Sequence, residues 1–457
     1  MVERAARRTA ASRSLRLRLS PGSLRLLLTA VTAAAVVSAL QSFVLAPLTG
    51  RFTGEFEDFG VYLDGGRAAN AGTSPYAGFD GGTITMSGFD YPPLDAWLFR
   101  PLALLPYHVA QMVWLWVGLA CAVGGSVVVA RAVLPRTWPS VRLGISAALL
   151  FAPATYNLWH GQVNPLIFLL LALAMRSWVR GEQGRCGTLL GIAAAVKLAP
   201  LVLVVMLLRR RWWRGAAAMA ATMLAASLAG VLLLGSGATR TFLTTVFPAL
   251  NRDNGWVYNQ TWNGVVSRLV DHAVFAWATP STVIHLVALL LGAAGLLWAA
   301  RSVRPGDRPG EVRGAEFGAG IAAMLLCGSV AWIPHDIHLL IPLFAALGLV
   351  AVHGRRAAGS VRVGLIAAVL ALAVLTPLLI AGSSMPSLLA ASHGRWWWFQ
   401  LQLWSAPALA AAVLLASLGG WAARAGHERL PGAAGRATYT RRECLRTASA
   451  PPRRPAP

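Results

Sequence analysis

Stretches of about 20 apolar residues recur along most of this 457-residue chain, and short arginine clusters separate them. A helix of about 20 residues is long enough to cross the hydrocarbon core of a bilayer. Inside lipid the backbone must satisfy its own hydrogen bonds, so such runs fold as helices. With 56% hydrophobic and 12% charged residues, the chain lacks the composition of a soluble globular protein. The pattern predicts one all-α, polytopic integral membrane domain in the cell membrane.

The formal net charge of +23 could indicate a nucleic-acid partner. The arginines, however, lie between the apolar runs, where the positive-inside rule predicts them on the cytoplasmic side. The 4 cysteines are scattered and lack the spacing of metal ligands. We therefore predict a membrane-embedded protein with no nucleic-acid partner, no bound metal and no disulfide framework.

The first 48 residues set the orientation of the predicted topology. Residues 1–25 contain seven arginines and one glutamate, which predicts a basic cytoplasmic arm. Residues 26–48 form an apolar run in which Val37-Ser38-Ala39 resembles a signal-peptide cleavage site. The run is longer than a signal peptide needs, which favours an uncleaved anchor over a cleaved signal. Both interpretations put residues 50–106 outside the cytoplasm.

Arginine clusters assign the remaining transmembrane spans. These spans are predicted near residues 107–130, 143–159, 163–179, 215–235, 280–300, 316–333, 338–353, 363–382 and 399–423. The run 187–208 is basic at both ends, so a straight span would leave one cluster on the wrong side. Two short helices meeting near Lys197-Leu198-Ala199-Pro200 keep both clusters inside, because proline breaks a helix. The prediction is about twelve helices in a domain of residues 26–423, followed by a cytoplasmic, disordered tail of residues 424–457.

The first outer loop, residues 50–106, is unusually acidic. Seven of the 17 acidic residues of the chain fall within it, namely Glu55, Glu57, Asp58, Asp64, Asp80, Asp90 and Asp95. A carboxylate at the edge of a bilayer is costly and usually marks a functional site. Asp58 is our candidate for chemistry, although an aspartate here could also serve only as a helix N-cap.

On this topology, the unusual polar residues converge on the extracytoplasmic face. The candidates for substrate binding are Tyr62, Asp64, Tyr91, His160, Gln162, Asn164, Asn259, Trp262 and Asn263. Asp90, His335, Asp336 and His338 lie on the same side, and Lys197 approaches it from the tip of the hairpin. The structural alternatives are that Lys197 extends to the membrane surface and that Gln162 and Asn164 only satisfy backbone groups at a helix end.

A carboxylate, a lone intramembrane cation and two histidines suit the transfer of a group from a lipid phosphate to a hydroxyl. The carboxylate accepts the proton of the attacking hydroxyl as a general base. A cation stabilises the charge that develops on the departing phosphate. The sequence contains no nucleotide-binding motif, so a lipid-linked donor is predicted and no cofactor is expected. A metal held by His335 and His338 would need a third ligand, and the one nearby candidate, Asp336, would point elsewhere on a helix.

Several motifs follow one another along the chain, namely DFGVYLDGG from Asp58, GTSPY from Gly72, FDYPPL from Phe89, GQVNPL from Gly161, GIAAAVKLAPLVL from Gly191, the following RRRWWRG, and NQTWNG from Asn259. In this order they resemble glycosyltransferase family 87, within the glycosyltransferase C superfamily. The resemblance implies a multi-spanning helical fold of the GT-C type, whose first outer loop carries the catalytic aspartate, here Asp58. It further implies an inverting α-mannosyltransferase that uses polyprenyl phosphate mannose. A late histidine is implied at the donor phosphate, for which we choose His335 and, second, His338.

The predicted function is transfer of mannose from polyprenyl phosphate mannose to a hydroxyl of a lipid or glycan acceptor outside the cytoplasm. Asp58 is the predicted base, and Lys197 with His335 or His338 is predicted to bind the donor phosphate. Two other functions remain open at this point. One is a transferase for another lipid-linked sugar such as arabinofuranose. The other is a polyprenyl-lipid transporter or flippase, which would expose polar residues to both faces.

Overall fold

The structure is a computed structural model. It describes residues 21–52, 54, 56–79, 88–253, 255–256, 258–271, 281–357, 359–375 and 405–425. Residues 1–20 of the predicted basic arm, the predicted outer loop 383–398 and the tail beyond residue 425 therefore lie outside the described residues.

Every regular element in the described ranges is helical. The α-helices of six residues or more are α1 Pro21–Leu40, α2 Glu57–Asn70, α3 Pro93–Leu98, α4 Tyr107–Val133, α5 Ser140–Leu150, α6 Ala152–His160, α7 Asn164–Arg180, α8 Gln183–Val196, α9 Val204–Arg209, α10 Trp213–Thr241, α11 Trp262–Asp271, α12 Thr282–Ser302, α13 Gly310–Cys327, α14 Leu340–Ala357, α15 Gly359–Leu370 and α16 Ala406–Arg424. Two 3₁₀ segments, Ala199–Leu203 and Ile333–Leu339, precede α9 and α14.

Six helical stretches among the described residues are long and apolar enough to cross a membrane. They are Arg25–Leu48, Tyr107–Val133, Trp213–Leu250, Thr282–Ser302, Ile333–Gly354 and Ala406–Arg424. The all-helical membrane fold is thus as predicted, whereas the count of twelve spans stays a prediction. One predicted span, 143–159, is two helices, because the backbone at Phe151 leaves helical geometry before Pro153.

The predicted hairpin around Lys197 is confirmed. Helix α8 ends at Val196 and Lys197 adopts an extended conformation, with φ −149° and ψ 122°. Gly187 of α8 lies against the backbone of Gly215, and four residues later Gly191 lies against α10 one turn further along. Helices α8 and α10 therefore run in the same direction, so the segment that connects them returns to the starting end. The arginines on either side of the hairpin share that end.

Helix α10 extends beyond its predicted end at residue 235. Gly235 has a φ of 85°, which interrupts the helix, and the chain then continues through a π-helical turn to Leu250. The predicted outer loop 236–279 is therefore helical in its first part. A glycine can adopt this positive φ at little steric cost, so the chain bends here without ending its helical course.

The bundle has two chemically different ends. At the arginine-rich end, the buried Glu316 carboxylate forms ion pairs of 2.6 Å with Arg210 and with Arg308, and Arg313 pairs with Asp307. At the other end, which we call the Lys197 end, the described residues include acids, amides and histidines. Helix α7 connects the two, since it begins at Asn164 beside Lys197 and ends at Arg180.

Candidate active site

Asp58 lies in the first turn of α2, and the start of this helix is anchored to the end of α6. The Phe56 N–H donates to the Trp159 carbonyl oxygen at 3.1 Å. Phe56 itself is fully buried, and its φ of 51° is in the left-handed region. This strained residue turns the chain into α2 and brings Asp58 beside His160 and Gln162.

Gln162 is the centre of the hydrogen-bond network. Its Oε1 accepts from the Asn164 amide at 3.2 Å and lies 3.4 Å from the Tyr62 hydroxyl. Its amide nitrogen is left to donate to the Asp58 carboxylate. The structure therefore joins four residues that the sequence predicted as site residues.

Asp58 is half-buried, and burial is the main influence on its charge. Burial raises the pKa of the Asp58 carboxyl above its ordinary value, while the Gln162 hydrogen bond and the neighbouring His160 and Lys197 oppose the rise. A carboxylate with a raised pKa is a stronger base than an exposed aspartate. At the same time, the hydrogen bond from Gln162 keeps the Asp58 carboxylate oriented.

Tyr62 and Tyr91 are buried side by side in the neighbourhood of Asp58. The Tyr62 hydroxyl donates to the Tyr91 hydroxyl at 2.9 Å and accepts from the Val163 N–H at 3.3 Å. The Tyr76 hydroxyl donates to the Tyr91 carbonyl oxygen at 2.7 Å. Both rings are buried, so these bonds fix the loop that leads from residue 88 into α3 against α2.

Lys197 lies at the tip of the hairpin, next to these tyrosines. Its Nζ is 3.5 Å from the Asn164 Oδ1 and 5.4 Å from the centre of the Tyr91 ring. Three carboxyl groups, those of Asp90, Asp58 and Asp95, interact with its charge. Lys197 is the sole lysine of the chain. It lies at the same end of the bundle as Asp58, Asp90 and Asp95 of the first loop.

His335 and His338 lie on the 3₁₀ segment Ile333–Leu339, and both are buried. With Lys197 they line a narrow cavity of about 20 Å³, room for about one water molecule. The His335 Nδ1 is 3.0 Å from the Trp332 carbonyl oxygen. Since a carbonyl oxygen only accepts, Nδ1 carries the proton of neutral His335. The His338 Nδ1 has no hydrogen-bond partner among the described residues.

Asp64, by contrast, lies apart from this network. Its side chain is exposed and pairs with Arg67 at 2.8 Å. Six residues beyond Asp58 on α2, it falls on a different face of the helix and faces solvent. The structure gives it a surface ion pair instead of a position in the site.

Asn259, Trp262 and Asn263 also do not reach Asp58. Asn259 donates to the Ser329 carbonyl oxygen at 3.0 Å and accepts from the Ala331 N–H at 3.1 Å, and Asn263 donates to Asp253 at 2.8 Å. Trp262 begins α11 and is half-buried. The buried Asn259 therefore holds the 329–331 segment, which forms part of the wall of the Lys197 cavity.

Three functional candidates received no role from the sequence alone. Asp90 and Asp95 flank the Pro92-Pro93 turn; burial raises the pKa of Asp90 to about 6 and that of Asp95 well above its ordinary value. Asn157 donates to the Pro334 carbonyl oxygen at 2.6 Å and so supports the histidine segment. A signal for Asn157 was present, since it is an amide inside the apolar run 143–159.

Within the described ranges, no group of three or more His, Cys, Asp or Glu side chains could hold a metal ion. The pair His335 and His338 shares its cavity with a lysine, whose positive charge would oppose a cation there. The arrangement is instead suited to an anion beside Lys197 and to a proton acceptor at Asp58.

Fold and site together describe a helical membrane protein with an acid, a lysine and two histidines at one end of its bundle. The sequence profile of glycosyltransferase family 87 matches residues 89–329 of the 457. The chain therefore belongs to glycosyltransferase family 87. The matched range includes Gln162, Asn164 and Lys197, while Asp58 precedes it and both histidines follow it.

Curated relatives come from mycobacteria. A polyprenol-phosphate-mannose-dependent alpha-(1-2)-phosphatidylinositol pentamannoside mannosyltransferase of Mycobacterium tuberculosis is 28% identical over 262 residues, 55% of this chain and 56% of the relative. An enzyme of the same name from Mycolicibacterium smegmatis is 28% identical over 191 residues, 40% of this chain and 45% of the relative. A phosphatidylinositol mannoside mannosyltransferase of the latter organism is 28% identical over 372 residues, 75% of this chain and 81% of the relative. The chain thus spans about half the length of the two pentamannoside enzymes.

Proposed function

We propose that this protein transfers mannose from polyprenyl phosphate mannose to a hydroxyl of a lipid or glycan acceptor, with inversion at the sugar carbon. The observation that carries the proposal is the Asp58–Gln162 hydrogen bond beside the sole lysine of the chain. Membership of glycosyltransferase family 87 and the activities for which the mycobacterial relatives are named support the donor and the sugar.

In the proposed reaction, the acceptor oxygen attacks C1 of the mannose and a new C1–O bond forms. The bond between C1 and the phosphate oxygen breaks, and the polyprenyl phosphate leaves with the electron pair. The acceptor proton moves to the Asp58 carboxylate. A β-linked donor thereby gives an α-mannoside, and a single displacement accounts for the inversion. Gln162 holds the carboxylate in position through its amide.

Lys197 supplies positive charge where negative charge develops on the leaving phosphate. Asn164 and the face of the Tyr91 ring hold its ammonium, and an ammonium over an aromatic face is attracted by the ring. The cavity it shares with the histidines is smaller than a phosphate, so side chains at its edge move when the donor binds.

Of the two histidines, the hydrogen-bond pattern favours His338 as the donor to the phosphate. The proton on the Nδ1 of His335 is engaged by Trp332, which leaves its other nitrogen as an acceptor in the neutral ring. His338 has a ring nitrogen with no partner among the described residues, so that nitrogen can carry a proton toward an anion. We therefore assign the phosphate contact to His338 and a supporting role to His335.

Orientation follows from the distribution of charge between the two ends. The arginine-rich end carries Arg180, Arg209, Arg210, Arg211, Arg308 and Arg313. The positive-inside rule assigns such an end to the cytoplasm, so we propose that the Lys197 end faces the extracytoplasmic side. A lipid-linked donor suits this side because its tail partitions into the bilayer next to the site.

Asp58→Asn is the first test, in membrane vesicles supplied with labelled polyprenyl phosphate mannose. The variant keeps the size of the side chain but loses the base, and we expect a fall in mannosyl transfer of at least about 10²-fold. The control is Asp64→Asn on the same helix, which removes an exposed ion pair and is expected to retain wild-type rates.

Full activity of Asp58→Asn would remove the proposed base. A parallel reaction with polyprenyl phosphate arabinofuranose distinguishes the sugar, because transfer of arabinose alone would overturn the choice of mannose. Movement of the lipid without a new glycosidic bond would identify a transporter instead.

A further inference from the structure

A second polar cavity lies at the arginine-rich end, between helices α4 and α7. Its volume is about 400 Å³, within the range of roughly 300–1,000 Å³ that is common for ligand pockets. Arg131 of α4 and Arg176 and Arg180 of α7 line it, together with apolar side chains that include Val128 and Val179. No step of the proposed transfer reaction uses these arginines.

The cavity carries positive charge that the described residues leave largely unbalanced. Neither Arg131 nor Arg176 has an ion pair or a side-chain hydrogen bond to any described residue. Arg180 is 3.9 Å from Glu182, but that exposed carboxylate also lies 3.7 Å from Arg185. The cavity therefore has more cationic than anionic groups around it.

Neighbouring arginines at the same end behave differently. Arg210 and Arg308 both pair with Glu316 at 2.6 Å, and Arg313 pairs with Asp307. The fold thus supplies an acid to each of these arginines but not to Arg131 or Arg176. Arg131 is exposed and Arg176 is half-buried, so both guanidinium groups are free to bind an anion that enters the cavity.

The position of the cavity indicates which kind of anion it can bind. Arg131 lies in the last turn of the candidate span Tyr107–Val133, so the cavity opens at the depth where a membrane-crossing helix meets the headgroups. Valines line it beside the guanidinium groups. A soluble phosphate gains nothing from an apolar wall, whereas a phospholipid has both a phosphate and acyl chains to match this lining.

We propose that this cavity binds the headgroup phosphate of an anionic phospholipid in the leaflet at the arginine-rich end. Arg131 and Arg176 donate to the phosphate oxygens as charge-assisted hydrogen bonds, and the acyl chains lie along Val128 and Val179. The site is separate from the candidate active site, because Arg176 is twelve residues along α7 from Asn164, or about 18 Å of helix. It stands independently of the transfer reaction.

Native mass spectrometry of the full chain in neutral detergent tests this site. Phosphatidylglycerol is the anionic probe, phosphatidylcholine the zwitterionic comparison, and inorganic phosphate the soluble one. We expect one phosphatidylglycerol to bind more tightly than phosphatidylcholine. Arg131→Gln with Arg176→Gln is expected to weaken this binding by at least about tenfold. The matched control is Arg209→Gln with Arg214→Gln, which removes the same charge at the same end outside the cavity and is expected to change binding less than about twofold.

A second variant addresses the chance that loss of two arginines impairs folding. Val128→Phe fills the cavity without altering charge, and it is expected to lose the bound phosphatidylglycerol as well. Wild-type binding in either cavity variant, or equal loss in the Arg209/Arg214 control, overturns the site. Displacement of the lipid by millimolar inorganic phosphate overturns the choice of a lipid and identifies a soluble phosphate ligand.

Discussion

Three carboxyl groups and one ammonium share a small volume at the Lys197 end. Burial raises the pKa of the Asp95 carboxyl well above its ordinary value, while the charge of Lys197 opposes the rise. Asp90, with its pKa raised to about 6, is mostly ionised at neutral pH. Asp58 and Asp90 both interact with the charge of Lys197, and Asp58 also has a hydrogen bond to Gln162.

Lys197→Met removes the positive charge while it keeps most of the apolar stem. If the ammonium stabilises the leaving phosphate, the rate of mannosyl transfer is expected to fall by about 10²–10³-fold. Lys197→Arg retains a charge in a different geometry and is expected to recover part of the rate. Initial rates in vesicles at saturating donor measure the effect. A rate for Lys197→Met near that of the wild type would exclude the ammonium from the chemical step.

The pH dependence of transfer should show an acid limb, because Asp58 must be ionised to accept a proton. Its raised pKa moves that limb to a higher pH than an exposed aspartate would give. The charge of Asp58 is one of the causes that raise the pKa of Asp90, so the two carboxyls interact and ionisation of either disfavours ionisation of the other.

Asp90→Asn is therefore expected to move the acid limb to lower pH, whatever its effect on the maximal rate. Initial rates measured from roughly pH 4.5 to 8 locate the midpoint of the limb. A midpoint that stays unchanged or moves to higher pH would contradict the coupling between the two aspartates.

At the scale of elements, the hairpin decides where Lys197 lies. Helix α8 ends at Val196 because Lys197 leaves helical geometry and Pro200 follows, and proline removes a backbone donor. The contact between Gly187 and Gly215 then fixes α8 against α10. Small residues permit this approach, as is common where membrane helices pack closely.

Gly187→Ala is expected to destabilise the fold by about 1–3 kcal/mol, since the new Cβ would overlap the Gly215 carbonyl oxygen. Gly184→Ala, one turn earlier on α8, has open space around it and is the control. There alanine is expected to leave stability unchanged or slightly raise it. Thermal unfolding in detergent separates the two. Equal midpoints for both variants would show that α8 and α10 are not in close contact at Gly187.

Some helices could be predicted from the sequence more accurately than others. Helices near 107–130 and 163–179 were predicted within a few residues of α4 and α7, because an apolar run between charged ends leaves little choice in lipid. The helical continuation from Gly235 to Leu250 was missed, since threonines and an arginine there resemble a loop. Helix α2, which carries Asp58, has too little apolar periodicity to identify by sequence.

For the molecule as a whole, the two ends are maintained by different forces. At the Lys197 end, amides and hydroxyls hydrogen-bond to one another and to the charged groups of Asp58 and Lys197. The arginine-rich end holds Glu316, which is completely buried, between Arg210 and Arg308. Arg210 also lies 4.9 Å from the Trp178 ring and 4.8 Å from the Trp212 ring. This ion cluster joins α9, α13 and the segment after α12.

Glu316→Gln is expected to destabilise the protein by about 3–5 kcal/mol, because two buried guanidinium groups lose their counter-charge. Glu182→Gln removes two longer ion pairs at a half-buried site but keeps an oxygen that can accept from the Ser177 hydroxyl, and its expected effect is below about 1 kcal/mol. Thermal unfolding midpoints in detergent measure both. A midpoint for Glu316→Gln equal to that of Glu182→Gln would mean that the cluster adds nothing to stability.

The sequence predicted part of the candidate site, because it indicates the side of the membrane on which a residue lies but not the partner of its side chain. Topology brought Asp58, Tyr62, Gln162, Asn164 and Lys197 to one end, and the structure joins them. Asn259 and Asn263 were assigned to the substrate site, but Asn259 bonds to the backbone of residues 329 and 331 and Asn263 bonds to Asp253. A sequence can indicate which side of a membrane a residue faces, whereas its hydrogen-bond partner depends on packing between distant segments.

Because Lys197 is unique in the sequence and only half-buried, the protein carries a single side chain that amine-selective reagents can modify. An acylating probe, followed by peptide mapping, would report on the occupancy of this position directly. Protection by a non-hydrolysable lipid phosphate would reveal ligand engagement in a preparation with no turnover at all. Peptide mapping separates this modification from that of the α-amino group, so no engineered cysteine is needed.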